Sequence, residues 1–76
     1  MTATEINAFA RRVNADRELA GQRVVIRRPD GQYLNGARWV SARRQAETFD
    51  YDRDLVGMQI ETVEVQYGVK WMAEIA

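Results

Sequence analysis

The chain has no cysteine and no histidine, and only one proline, one serine and one lysine among 76 residues. Without cysteine there is no disulfide, no thiolate metal site and no thiol nucleophile. Without histidine the commonest general base and the commonest transition-metal ligand are missing. The one serine, Ser41, has neither an imidazole to activate it nor a Gly-x-Ser-x-Gly turn around it. The five glycines stand singly, so no phosphate-cradling loop is present. No apolar run approaches the roughly 18–20 residues needed to span a bilayer. The opening Met1-Thr2-Ala3-Thr4-Glu5 lacks the basic-then-apolar pattern of a secretory leader. These absences predict a protein with no catalytic residues, no cofactor, no bound metal and no membrane segment, working in the cytoplasm.

What is present is ordinary for a globular domain: 46% hydrophobic and 29% charged residues. The length allows a single domain over residues 1–76. Net charge is zero, yet residues 1–44 carry +5 and residues 45–76 carry −5. Halves placed on different faces would form a dipole able to steer a charged partner. Halves that interleave would cancel it.

Thr2 and Glu5 have capping-box spacing, and Ile6, Phe9, Ala10 and Val13 recur at helical intervals. The pattern predicts a helix from about Ala3 that weakens near Asn14–Asp16 and stops at Gly21. Residues 23–27 read as a strand, Pro29-Asp30-Gly31 as a turn, and residues 32–34 as a second strand. Asn35-Gly36 signals a hairpin into a third strand at residues 37–40. Ser41 is a potential cap for a second helix carrying Ala42, Ala46 and Phe49 on one face. Residues 50–57 read as an acidic loop. From Ile60 the apolar residues alternate, which predicts two strands turning at Tyr67-Gly68. The expected fold is α+β, α-β-β-β-α-β-β, an antiparallel sheet of about five strands with two helices on one face. Its expected core is Ile6, Phe9, Val13, Val24, Ile26, Leu34, Trp39, Ala46, Phe49, Val63, Val65, Trp71 and Ile75.

Two surfaces are candidates for contact. The first is acidic: Glu47, Asp50, Asp52, Asp54, Glu61 and Glu64, with Tyr51 as an exposed aromatic anchor among the carboxylates. Asp50, Asp52, Asp54 and Glu61 also have the carboxylate spacing of a calcium loop, but Leu55 stands where a glycine must turn the chain. The second is basic. Strand alternation turns Arg23, Val25 and Arg27 away from Val24 and Ile26, and Arg38 away from Trp39. With Arg28 and Tyr33 nearby, that sheet face offers charge and stacking to a single-stranded nucleic acid. A third possibility is self-association through an edge strand within Val69–Ile75, so the expected state is monomer or homodimer.

The run Arg28-Pro29-Asp30-Gly31-Gln32-Tyr33-Leu34, followed by Trp39-Val40 and then Ala42, Ala46 and Phe49, resembles a strand–turn–strand–helix unit of small phage and mobile-element accessory proteins, anti-CRISPR proteins among them. The resemblance covers roughly residues 22–50. It implies a non-enzymatic inhibitor that binds a protein partner, a larger host nucleoprotein complex, by occupying a nucleic-acid-binding surface. The acidic set fits such a surface. The alternative is a small nucleic-acid-binding regulator that uses Arg23, Arg27, Arg28, Tyr33 and Arg38.

Overall fold

A computed structural model describes residues 1–76. Helix α1 spans Ala3–Leu19 and opens with the capping box: Thr2 accepts from the Glu5 amide, and Glu5 accepts from the Thr2 amide. It does not weaken at Asn14–Asp16, because Arg12 and Asp16 pair at i, i+4 across that stretch (3.0 Å). Gly21 then leaves the helix at φ +76°.

Strand β1 (Arg23–Arg27) is the hub of an antiparallel five-stranded sheet. One side of it is shared end to end by β2 (Tyr33–Asn35) and β4 (Phe49–Asp50), through Arg27↔Tyr33 and Val24↔Phe49. The other side takes β5 (Met72–Ile75), in register from Val24↔Ile75 to Arg27↔Met72. Strand β3 (Arg38–Val40) continues outward from β2. The β1–β2 turn closes with the Gly31 amide on the Arg28 carbonyl (3.0 Å) and the Arg28 amide on the Gln32 carbonyl (2.7 Å). The β2–β3 loop is Gly36-Ala37, one residue later than the Asn-Gly signal suggests, with Asn35 paired to Arg38.

The α+β class and the five antiparallel strands stand, and the second helix lies elsewhere in the chain. Residues 43–45 make only a 3₁₀ turn, whose first residue is preceded by Ala42 with no capping side chain. The helix half of the strand–turn–strand–helix unit is therefore absent. Helix α2 instead spans Val56–Tyr67, where the end of the acidic loop and the first of two strands were expected, while the second strand stands as β5. Val56, Ile60, Val63 and Tyr67 fit helical spacing as well as the later residues fit alternation. Gly68, the expected hairpin centre, ends α2 at φ +71° and donates to the Glu64 carbonyl (2.9 Å). No helix is long and apolar enough to cross a membrane.

Both helices pack on the sheet face that carries Val24 and Ile26. The buried cluster is Leu19, Val24, Ile26, Tyr51 and Val56, with Leu34, Trp39, Phe49, Ile60, Trp71 and Ala73 packed around it. Each fully buried Val there is worth roughly 1.5–3 kcal/mol relative to exposure. Trp39 and Trp71 meet edge to face with centroids 5.1 Å apart, and the Arg28 guanidinium covers Trp39 at 4.5 Å. Ile6, Phe9, Val65 and Ile75 are not core; all four are exposed. Helix α1 buries Ala8 and Leu19 instead, so the apolar row Ile6–Phe9–Val13 turns away from the sheet.

Candidate functional site

The acidic set does not form one exposed surface. Tyr51, expected outside, is buried at 3% exposure, because its amide bonds Gln22 at the end of the α1–β1 link and its ring fills the space under α2. Its hydroxyl donates to Asp16 Oδ1 at 2.7 Å. Burial first, then the bond and charge of Asp16, raise its pKa. Glu64, at 4% exposure, is also interior and accepts from Arg11 Nε at 3.0 Å, with a second contact from Arg11 Nη2. Glu61 accepts from Arg12 Nε at 3.0 Å, and Arg12 also holds Asp16. Two Arg–carboxylate pairs thus clamp α1 to α2.

The remaining acidic residues satisfy backbone donors. Asp50 Oδ1 accepts from the amides of Asp52 (3.1 Å) and Arg53 (2.9 Å). Asp54 Oδ2 accepts from the Asp50 amide at 2.8 Å, and Arg53 bonds its other oxygen. The Arg53 bond is the main reason its carboxyl lies below the usual range. Asp52 takes the Gly21 amide (2.6 Å) and Glu47 takes the Gly36 amide (2.8 Å). These contacts fold residues 50–55 into a tight reversal from β4 into α2. The calcium-loop spacing has no geometric counterpart: no three carboxylates converge, and Glu61 sits in α2 against Arg12.

The reversal ends at Leu55, which has φ +52° and is 56% exposed. A leucine in the left-handed region costs roughly 1–2 kcal/mol. Nothing in the sequence marks that strain. Gly57, read as a loop terminator, lies inside the first turn of α2, where a Cβ would meet the Tyr51 hydroxyl at 2.5 Å and Asp16 Oδ1 at 2.8 Å.

Strand register places Arg23, Arg27, Tyr33 and Arg38 together on the sheet face opposite the helices. Arg28 is on the helix side, paired with Asp30 (2.6 Å) and stacked on Trp39, so it leaves the basic set. The Arg28 bond, with the Gln32 amide, holds the Asp30 carboxyl low. Arg23 bonds Thr48 Oγ1 at 2.7 Å. Arg27 and Arg38 form no ion pair; Arg38 is exposed and Arg27 half-buried. Arg43, outside the predicted set, reaches across this face from the 3₁₀ turn. Its guanidinium is 6.0 Å from the Tyr33 ring, bonds Glu74 Oε1 at 2.8 Å and contacts the Ile75 carbonyl. That strap passes over β1 and explains why Val25, expected outside with its neighbours, is 3% exposed. The Arg43-Arg44 doublet was its only trace in the sequence.

Across the molecule the commitments of acids and bases differ. Every carboxylate side chain except Glu18 accepts a hydrogen bond within the chain. Arg17, Arg23, Arg27, Arg38, Arg44 and Lys70 meet no carboxylate. A cleft of about 250 Å³ between the helices and β5 is lined by Ile60, Leu19 and Trp71, and its charged groups are the Arg11–Glu64 and Arg12–Glu61 pairs with Glu18. The chain matches no family model, no curated protein and no solved structure.

Proposed function

We propose that the chain is a nucleic-acid-binding protein that lays a single strand across the outer face of its sheet. One observation carries this reading: all carboxylates but Glu18 are spent on internal contacts, while Arg27 and Arg38 stay unpaired on one sheet face. Arg44 adds a further free cation beside the strap. Tyr33, backed by Arg43, supplies a flat group on which a base stacks. Guanidinium groups suit phosphate because they donate two parallel hydrogen bonds. The acidic set lends less to the inhibitor reading, since Tyr51 and Glu64 offer no surface.

Neutralising three phosphates on a single strand gives a salt slope of about −2 in log K against log salt. Fluorescence anisotropy with a labelled single-stranded oligonucleotide reads this directly. Arg27→Glu with Arg38→Glu should abolish binding and leave the circular dichroism spectrum unchanged. A flat titration at low salt, or binding indifferent to that double reversal, sinks the reading.

A further inference from the structure

The face of the molecule opposite the sheet is unusual in being apolar and open. On α1 it carries Ile6 (52% exposed) and Phe9 (47%), and on α2 Met58 (55%) and Val65 (40%). Ile6, Phe9 and Val13 follow i, i+3, i+7 spacing. On α2, Met58, Thr62 and Val65 follow i, i+4, i+7 spacing, and Leu55 stands just before the helix in its left-handed cap. These are the spacings of a helix–helix seam. The seams point away from the core-facing residues Ala8, Ala15, Val56 and Ile60. Between them runs a groove of about 320 Å³ bordered by Phe9, Thr62 and Val65.

We infer that this face is covered by a second copy of the same chain, with α1 crossing α1 of the copy antiparallel about a two-fold axis at the level of Arg11, beside Ala10. Three features favour self-association over a foreign partner. The first is that the seam is self-complementary, as an isologous contact requires: the crossing sets Phe9 against Val13 of the copy, twice. Ala10 lies between them, and its methyl lets the two helix backbones approach. The second is charge. Glu61 on this face is already paired with Arg12, Asn7 and Asn14 are neutral, and no unpaired like charges oppose the copy. Arg17, at the C-terminal end of the seam, has no partner within the chain, and the antiparallel crossing carries it toward Glu5 of the copy. The third is the thin interior: only nine of 76 residues are buried, while a strained Leu55 is held in solvent at the end of the α2 seam. The pairing leaves both basic sheet faces pointing outward, so it stands independently of nucleic-acid binding.

Because the chain lacks cysteine, single-cysteine variants report the contact without background. Ala10→Cys should form a disulfide-linked dimer under mild oxidation at least about tenfold faster than Ala37→Cys, which sits in the β2–β3 loop. Sedimentation equilibrium from about 1 μM to about 500 μM should show the wild-type mass rising toward twice 8.8 kDa. Phe9→Glu should hold the mass at one chain with an unchanged circular dichroism spectrum. A wild-type mass that stays monomeric throughout overturns the inference. So does a dimer that survives Phe9→Glu, since it would use another surface such as the β5 edge. Equal oxidation rates for the two cysteine variants overturn it as well.

Discussion

Gly57→Ala sets helix propensity against packing, and the distances decide the sign. Where a methyl has room, Gly to Ala inside a helix gains about 1 kcal/mol. At Gly57 the new Cβ would lie 2.5 Å from the Tyr51 hydroxyl, 2.8 Å from Asp16 Oδ1 and 3.2 Å from Tyr51 Cζ. The Asp16 carboxylate is partly exposed, but it can swing away only by giving up its bond from Tyr51. The Tyr51 ring is held in the core, and its hydroxyl cannot move without losing the 2.7 Å bond to Asp16. A hydrogen bond to a charged acceptor is worth about 1.5–3 kcal/mol. Overpacking a filled site costs about 1–3 kcal/mol more. The net is a loss of about 1.5–5 kcal/mol, and for a chain of 76 residues each kcal/mol lowers Tm by about 6 °C. Thermal and urea unfolding followed by circular dichroism measure it. In a Tyr51→Phe background the closest clash is gone, so Gly57→Ala should cost at least about 1 kcal/mol less there. A Gly57→Ala protein that melts at or above wild type refutes the packing argument. Equal costs in the two backgrounds would show that the hydroxyl is not what the methyl meets.

Three further predictions concern the same framework. Tyr51 has its pKa raised above the ordinary 10.0 by burial and Asp16. The stability it contributes is therefore complete below pH 10 and is lost as pH climbs toward the folded-state value; Tyr51→Phe should flatten that alkaline decline in denaturant midpoints. Arg11→Ala leaves the buried Glu64 carboxylate without its guanidinium and should cost about 2–4 kcal/mol, whereas Glu64→Gln, which keeps a polar group facing Arg11, should cost less; urea midpoints rank them. Leu55→Gly relieves the left-handed backbone and should raise stability by about 1 kcal/mol in the isolated chain, read as an upward shift in Tm.

The first half of the fold was legible because its signals are local and redundant. Thr2 and Glu5 cap α1, Pro29-Asp30-Gly31 makes a turn, and Val24 and Ile26 face the core as alternation requires. The second half misled for a physical reason. Between residues 56 and 67 the apolar residues satisfy both a period of two and a period of 3.6, and α2 lacks the cap that would have settled the choice: Leu55 offers no side-chain acceptor. Burial of Glu64 on the inner side of α2 further hides the helical pattern, because a carboxylate reads as a solvent position until its partner, 53 residues away, is known. Residues 42–49 failed the other way: three apolar points fit a helix, but the Gln45 carbonyl is taken by the Asn35 side chain and the Glu47 amide by Leu34. The basic face was readable except for Arg28, whose stacking on Trp39 is a tertiary fact. The acidic residues were found, but their work was not, since a carboxylate that holds a backbone amide looks the same in sequence as one that waits for a partner.

Strand β1 takes neighbours from three separate stretches, and its longest pairing joins Val24 to Ile75. Ordering that pair closes a loop of some fifty residues before any of the sheet's centre is complete, which places the chain among the slower folders for its size. It also leaves no piece able to fold alone. The β2–β3 hairpin has no cover without Trp71, which meets Trp39 just before β5, and the two helices have no floor without β5. Amide exchange across β1, β5 and the facing turns of both helices should therefore slow down together, as a single protected block rather than as a ladder of independent segments.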